Sequence, residues 1–395
     1  MTLPRKHLFD LPEGVVYLDG NSLGPLPCSV PDRVARTVTD EWGAHLITAW
    51  NRDGWMAQPV TVADRLGRLI GAPPGTTVLG DTLSIKVYQA LSAALDLNPD
   101  RRVILSDTGN FPTDLYMAQG LIRQVGKGHV LKTVPPEQVE AAIDDTVAAV
   151  MLTEVDYRTG RMHDMGRITR KAQAAGAVMI WDLAHSAGAV PVDLAAHGPE
   201  FAVGCTYKFL NAGPGAPAFI HARADIAARV APALSGWLGH DAPFAFEPGY
   251  RPGPGIERLR VGTPPILQIA ALDAALDAWE GLDMEQVRAA SIRLSELFIA
   301  EVERVCPSLA LASPRDPGHR GSQVSFRHPE GYAVMQALIA HGVIGDFRAP
   351  DILRFGITPL YIGEDDIRRA AATLAEILAG DLWDTPEFRA RQRVT

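Results

Sequence analysis

Four side chains able to carry acid–base and covalent chemistry follow two apolar runs in the middle of the chain. The runs span 177–181 and 201–205, and each has the length and composition of a buried strand. Open α/β sheets hold their ligands beyond the carboxyl ends of their strands. We therefore expect the side chains that follow the two runs to lie close together, at the carboxyl edge of one sheet. They are Asp182, His185, Tyr207 and Lys208.

The carboxylate and the lysine together fit the needs of pyridoxal phosphate. This cofactor forms a Schiff base with a lysine amine and requires an anion that keeps its ring nitrogen protonated. Asp182 and Lys208 are 26 residues apart, which leaves room for a strand end, a connection and the next strand. A surface lysine and a helix-capping aspartate are the alternative, because that is the commoner fate of either residue alone.

Two segments around these residues resemble the cofactor segment of the kynureninase family. They read DLAHSAGAVPVDL and YKFLNAGPGAPAFIH, and the resemblance extends from about Leu18 to Gly363. The family consists of pyridoxal-phosphate enzymes of the aspartate-aminotransferase superfamily (fold type I). The resemblance implies hydrolysis of L-kynurenine to anthranilate and L-alanine, in tryptophan catabolism and NAD biosynthesis. It leaves open whether 3-hydroxykynurenine is also cleaved, to 3-hydroxyanthranilate.

The resemblance also implies roles for individual residues. Lys208 would hold the cofactor and move the substrate α-proton, Asp182 would pair with the ring nitrogen, and Tyr207 would contact the phosphate and donate a proton. Further cofactor contacts are implied for residues spread over the first two thirds of the chain: Leu83 and Ser84 at the phosphate, Phe111 stacked on the ring, Asp114 on the same loop, Thr153 and His185 near the ring oxygen, and Trp237 and Thr263.

The phosphate contacts also have support from the residues themselves. Segment 79–95 is predicted as a helix, because apolar residues recur at helical spacing after two candidate caps, Asp81 and Thr82. The free amides and the dipole at a helix start bind phosphate. An ordinary capped helix remains the alternative.

Arg354 is a candidate for substrate binding, since it interrupts the strand-like run 352–357. Burying its charge is costly unless an anion arrives, and a guanidinium pairs bidentately with a carboxylate. The resemblance implies that Arg354 binds the substrate carboxylate and that Ser22, in Gly-Asn-Ser-Leu-Gly, lies on the substrate side. A structural ion pair is the alternative for Arg354.

Helices and strands alternate along most of the chain, which predicts an α/β fold. With the resemblance, we expect a fold type I PLP-dependent transferase-like chain. It would have a large domain with a mainly parallel seven-stranded sheet and a smaller C-terminal α/β domain. The predicted divisions are an N-terminal arm at 1–50 that contributes to the active site and the small domain, a large cofactor-binding domain at 51–264 and a small domain at 265–395. Strands are predicted at 323–327, 343–348 and 352–357.

Composition narrows the partners and the compartment. The net charge is −9 and no block of Lys or Arg stands out, so neither nucleic acid nor a membrane is an expected partner. The three cysteines are scattered without metal-ligand spacing, which predicts free thiols and no metal. The N-terminus lacks the apolar core of a signal peptide, so a cytoplasmic enzyme is expected. The resemblance implies a homodimer with its active site at the subunit interface.

Three rival functions differ in what they require. Another fold type I enzyme, such as a cysteine desulfurase-like lyase or an aminotransferase, would share the fold. A desulfurase needs a mobile nucleophilic cysteine, and segment 318–323, where we would seek it, contains none. A catalytically silent cofactor-binding homologue would bind the cofactor and leave kynurenine uncleaved. A nicotinamide-binding domain is disfavoured, since no Gly-x-Gly-x-x-Gly follows an early strand.

Overall fold

The computed structural model describes residues 3–392, which form two main sheets, of seven and four strands, flanked by helices, and two small two-stranded sheets that involve a short N-terminal arm. Strands β1 to β15 span, in chain order, Phe9–Asp10, Val16–Tyr17, Leu26–Pro27, Thr77–Leu79, Val103–Asp107, Val130–Val134, Val147–Thr153, Val178–Asp182, Phe201–Gly204, Phe219–Ala222, Ala310–Leu311, Gln323–Arg327, Val343–Ile344, Asp346–Arg348 and Ile352–Gly356. Helices α1 to α14 span Val30–Arg36, Ala49–Arg52, Gln58–Gly67, Leu83–Leu97, Pro112–Val125, Val139–Ala142, Met165–Ala174, Leu194–His197, Ala224–Ala227, Ile266–Ala275, Met284–Val305, Gly331–Ala340, Glu364–Ala379 and Pro386–Arg389.

The large sheet has seven strands in the order β4-β10-β9-β8-β7-β5-β6. Only β10 runs against its neighbours; the pairs β9–β8, β8–β7, β7–β5 and β5–β6 are parallel. Strands β7, β8 and β9 are buried along their whole length, as expected where helices cover both faces of a parallel sheet. The predicted mainly parallel seven-stranded sheet is confirmed.

Alternate side chains of the central strands enter two separate cores. On β8, Ile180 packs into the core that contains α4. Trp181 points to the opposite face and packs into the core that contains α7. The indole nitrogen of Trp181 donates to the Thr169 hydroxyl at 2.9 Å. Packing on both faces of the sheet therefore holds β8 in place, and with it Asp182 at the end of this strand.

The second sheet, β11-β12-β15-β14, is antiparallel and lies in the C-terminal part of the chain. The single strand predicted at 343–348 is wrong, because the chain divides there into β13 and β14. At Gly345, which separates them, a Cβ would lie 2.8 Å from the Arg354 carbonyl oxygen, so this residue approaches β15 too closely for a side chain. β13 pairs with β2 of the arm, and β14 sets Asp346 opposite Arg354.

The N-terminal arm joins the two sheets. The amide of Gly356 donates to the Leu18 carbonyl at 2.7 Å, and the amide of Gly24 donates to the Tyr207 carbonyl at 2.8 Å. A Cβ at Gly24 would lie 2.4 Å from the Lys208 carbonyl oxygen, so the arm packs directly on the loop that carries Lys208. Among residues 3–392, no helix is both long and apolar enough to cross a membrane.

Glu154, which follows β7, gives a pH-dependent prediction for stability. Burial raises the pKa of its carboxyl from 4.5 to about 7, although Ser186 and Arg288 oppose the shift. The raised pKa means that Glu154 stabilises the fold fully below about pH 4.5 and loses this contribution as the pH rises through 7. Relative to Glu154→Gln, the wild-type free energy of unfolding should therefore fall by up to about 3 kcal/mol between pH 4.5 and 8.

Urea unfolding of both proteins at pH 5 and pH 8 measures this difference. The exposed Glu137→Gln variant is the matched control and should follow the wild type at both pH values. Parallel pH dependence of wild type and Glu154→Gln would show that Glu154 does not change its protonation in this range.

Candidate active site

Asp182 ends β8 at the carboxyl edge of the large sheet and is buried. Its Oδ1 accepts from the Ala184 amide at 2.8 Å, and its Oδ2 accepts from the Thr153 hydroxyl at 3.3 Å. Thr153 is the register partner of Asp182 on β7, and its one hydroxyl proton is shared between Asp182 and the nearer Asn110 Oδ1, at 2.5 Å. The carboxylate is thus held in one orientation by the ends of neighbouring strands.

A second carboxyl, that of Asp114, lies against Asp182. Burial, and then the charge of Asp182, raise the pKa of Asp114 well above its ordinary value. Burial also raises the pKa of Asp182, but the Lys208 ammonium opposes this. Two adjacent buried negative charges are avoided when Asp114 holds a proton and Asp182 carries the negative charge that faces Lys208.

Lys208 lies past the end of β9, half-buried, with its Nζ 3.0 Å from His185 Nε2. Burial, followed by the charges of Lys208, Arg354 and Arg348, lowers the pKa of His185 well below its ordinary value. His185 is therefore neutral and accepts a hydrogen bond from the ammonium. Its Nδ1 is buried without a hydrogen-bond partner among residues 3–392, so it can still bind an added polar group.

Tyr207 and Phe111 supply aromatic surface beside this cluster. The Lys208 Nζ lies 5.8 Å from the centroid of the Tyr207 ring, and Cys205 and then burial raise the pKa of the phenol, so it stays protonated. Phe111 precedes α5, is 41% exposed, and meets the Tyr157 ring edge-on at 5.1 Å between centroids. Whether Phe111 stacks on a cofactor ring stays a prediction.

The helix predicted at 79–95 begins at Leu83 as α4, with Thr82 at the capping position but without a side-chain cap. Leu83 and Ser84 thus occupy the first turn, where backbone amides are free to bind an anion. Sequence reasoning missed Lys86 in the same turn. This lysine is fully buried, and its Nζ donates to Asp81 at 3.2 Å and Gln89 at 3.0 Å.

Arg354 is also buried, and its partners come from three parts of the chain. It donates to Asp346 Oδ1 at 2.6 Å, to the Tyr157 carbonyl at 2.6 Å and to the Ser22 hydroxyl at 2.7 Å. Arg354 therefore forms an ion pair with Asp346, which is the structural alternative considered for this arginine. Ser22 adjoins Arg354 as the proposed substrate side requires, although its role and that of Arg354 stay predictions.

Two of the predicted cofactor residues do not join this cluster within one chain. Trp237 is exposed and meets the Phe244 ring edge-on at 5.8 Å between centroids, and Thr263 is also exposed. Neither is hydrogen-bonded to Lys208, Asp182 or His185 in the described part of the chain. Their contact with a cofactor stays a prediction.

The groups at this site fit pyridoxal phosphate. A primary amine, an ionised buried carboxylate and free helix-start amides are the groups that this cofactor needs. His185 Nδ1 is a buried atom without a hydrogen-bond partner among residues 3–392, which leaves a polar group for a ligand. No group of three His, Cys, Asp or Glu residues able to hold a metal is found among residues 3–392.

Comparison with known proteins identifies close relatives. Residues 287–374 match the model of the kynureninase C-terminal domain. The kynureninase of Burkholderia pseudomallei (strain 1106a) is 49% identical, over 99% of this chain and 96% of that protein. The kynureninase of Pseudomonas fluorescens is 48% identical with the same coverage.

Solved structures with a similar fold have much lower sequence identity. The apo cysteine desulfurase of Thermococcus onnurineus NA1 superimposes with a TM-score of 0.81 at 18% identity, over 96% of this chain and 99% of that one. A lysine-to-alanine mutant of C-DES, with glycine covalently linked to its PLP cofactor, gives a TM-score of 0.80 at 20% identity, over 94% and 99%. These two similarities concern the fold alone.

Proposed function

This chain belongs to the kynureninase family, and we propose that it uses pyridoxal phosphate to hydrolyse L-kynurenine to anthranilate and L-alanine. The single observation that carries the proposal is the meeting of Lys208 and Asp182 at one sheet edge. Asp182 ends β8 and Lys208 follows β9, the parallel neighbour of β8, so both side chains emerge at the carboxyl edge of the sheet. A lysine amine and an ionised carboxylate in that relation are what the cofactor uses.

The protein groups divide the chemistry between them. When bound, pyridoxal phosphate accepts electrons that leave the substrate. Asp182 would keep the ring nitrogen protonated, and the Lys208 amine would take the α-proton of the substrate and deliver it to the aldehyde-derived carbon of the cofactor. Neutral His185 accepts a hydrogen bond from the Lys208 ammonium and so holds it in place. Tyr207, protonated at neutral pH, is the proposed proton donor.

Contacts to the substrate come from the second sheet and the arm. Arg354 would bind the α-carboxylate, and Ser22 lies within hydrogen-bond distance of the same guanidinium. Fixing the carboxylate would orient the bond between the β-carbon and the aryl ketone, which would break after water adds to the carbonyl carbon of that ketone. Leu83 and Ser84 would hold the cofactor phosphate, with Phe111, Asp114 and Thr153 around its ring.

The rival activities have less support. The similar solved structures include a cysteine desulfurase, but at 18% identity that likeness concerns the fold. Segment 318–323 lacks a cysteine, and Cys205 and Cys306 are both buried. An aminotransferase would use the same lysine and aspartate, so product analysis is needed to distinguish it.

Addition of kynurenine to the purified, cofactor-loaded protein tests the proposed reaction. We expect a visible absorption band from the lysine-bound cofactor, followed by equimolar anthranilate and alanine. A band without anthranilate would leave a silent cofactor-binding homologue, and a keto acid in place of alanine would indicate an aminotransferase. Parallel assays with 3-hydroxykynurenine determine the ring preference, which we expect to depend on Thr263.

We further propose a cytoplasmic homodimer whose two active sites lie at the subunit interface. Large apolar side chains are exposed on the single chain, including Trp42, Ile47, Trp237 and Phe246, and burying such a surface favours association. The three cysteines are free thiols, which suits a reducing compartment. The proposed division of each subunit is the arm at 1–50, the large domain at 51–264 and the small domain at 265–395.

Mixing two inactive variants tests the shared site. If Lys208 of one subunit works with Trp237 of the other, Lys208→Ala and Trp237→Ala chains should restore each other when unfolded and refolded together. A two-fold interface gives each mixed dimer one intact site, so about a quarter of wild-type activity is expected from an equal mixture. Separately refolded samples, mixed afterwards without subunit exchange, are the control. No recovery in a verified mixed dimer would place both residues in one subunit's site.

A further inference from the structure

The Arg354 guanidinium is largely committed to groups of the protein itself. Its Nε donates to Asp346 Oδ1 at 2.6 Å, and its Nη2 pairs with Asp346 Oδ2 and donates to Ser22 at 2.7 Å. Its Nη1 donates to the Tyr157 carbonyl at 2.6 Å. A guanidinium has five N–H groups, so one remains on Nη1. A single N–H cannot form the bidentate pair with which arginine usually holds a carboxylate.

Arg348, at the end of β14, shares two partners with Arg354 and keeps free donors. Its Nη2 lies 2.8 Å from Asp346 Oδ2 and 3.3 Å from the Ser22 hydroxyl, and its Nη1 donates to the Phe347 carbonyl at 2.8 Å. Its Nε and one further N–H of Nη1 make no hydrogen bond within the described residues. The side chain is 32% exposed, whereas that of Arg354 is 2% exposed.

The charges of both arginines act on His185, the hydrogen-bond partner of Lys208. After burial and the Lys208 charge, the charges of Arg354 and Arg348 are the next causes that lower the pKa of His185. His185 Nε2 is itself 3.0 Å from the Lys208 Nζ. Because Arg348 also shares Asp346 and Ser22 with Arg354, it lies beside the residue proposed to bind the substrate carboxylate.

The charges of the cluster leave room for one more anion. Asp346 is ionised between the two arginines, because they hold its pKa below the ordinary value despite burial. Burial, and then the charge of Asp346, raise the pKa of Asp19 to about 8, so Asp19 is mostly protonated at pH 7. Two guanidinium groups then face one carboxylate. A partly buried surplus cation is costly unless an anion joins it.

We propose that Arg348 is a substrate-binding residue that holds the α-carboxylate together with Arg354. Asp346 would position both guanidinium groups, and Arg348 would supply the donors that Arg354 lacks. The inference rests on the proposed function for the identity of the substrate, and it concerns the carboxylate of any amino acid that enters the site.

Two small probes separate carboxylate binding from other effects. L-Alanine carries the α-carboxylate, whereas ethylamine has the same amine and methyl group without it. Titration of the cofactor-loaded protein with each probe, followed by the visible absorption of the cofactor, gives a Kd for both. In Arg348→Gln we expect the Kd for L-alanine to rise about 10- to 100-fold, the effect of lost charge-assisted hydrogen bonds. The Kd for ethylamine should stay within about 3-fold on the same scale. Arg348→Lys should give a smaller rise for L-alanine because it keeps the positive charge.

Arg327→Gln is the matched control, since Arg327 lies on β12 of the same sheet and pairs with Asp351 at the surface. It should leave both Kd values unchanged. An unchanged L-alanine Kd in Arg348→Gln, or an equal rise for both probes with normal cofactor content, would overturn the proposal. If wild type binds L-alanine but does not cleave kynurenine, the proposed reaction fails while the role of Arg348 is still tested.

Discussion

Replacing Lys208 with alanine is expected to lower kcat for kynurenine hydrolysis by at least about 10⁴-fold. The variant loses both the amine that holds the cofactor and the base that moves the α-proton, and general-base catalysis alone contributes up to about 10⁴-fold. His185 is a poor replacement for this base, because burial lowers its pKa well below the ordinary value and so makes it a weak proton acceptor. Steady-state assays with saturating pyridoxal phosphate measure the loss.

The exposed Lys171→Ala variant, on α7, is the matched control and should keep wild-type activity. Cofactor content should be measured for each protein, so that weak cofactor binding is separated from loss of the base. A Lys208→Ala protein that retains a tenth or more of the wild-type kcat would exclude Lys208 as the essential amine.

The second large effect is expected at Asp182. Asparagine at this position keeps the hydrogen bond from the Ala184 amide but loses the charge that stabilises a protonated ring nitrogen. Removing one preorganised electrostatic partner from an active site costs about 10²- to 10³-fold. We expect kcat/KM of Asp182→Asn to fall by about this factor, or roughly 3 to 4 kcal/mol in the barrier. Asp182→Glu should lose less, because it keeps the charge and shifts its position.

Asp164→Asn is a suitable control for this substitution. Asp164 caps α7 by accepting from the Arg167 amide at 2.9 Å, and asparagine caps helices equally well. Its kcat/KM should match the wild type. If Asp182→Asn were also indistinguishable from wild type, the electron-sink role given to Asp182 would be wrong.

Local patterns predicted the strands that carry the acid and the amine. The runs before Asp182 and Lys208 are continuous and apolar because both sheet faces are covered, and such runs are recognisable in a sequence. The resemblance supplied the identity of the neighbouring positions. The sequence did not predict the break at Gly345, because the cause is the close approach of β15, a contact between strands.

The contacts of Asp346 with Ser22 and Arg354 were not predicted, for a related reason. Asp346 meets Ser22, 324 positions away, only after the arm folds against the second sheet. The argument that identified Arg354, a charge inside a strand, applies equally to Asp346 in β14 and was the available signal. Lys86 gave a weaker signal, because a lysine in an amphipathic helix is ordinarily solvated.

The site of cofactor attachment tests the central claim most directly. Borohydride reduces an imine to a stable amine, so peptide mass spectrometry of the reduced holoenzyme identifies the lysine that holds the cofactor. The chain has six lysines, of which Lys86 is the fully buried competitor at the start of α4. We predict the phosphopyridoxyl mass on the peptide that contains Lys208. The same mass on the Lys86 peptide, or on none, would contradict the account.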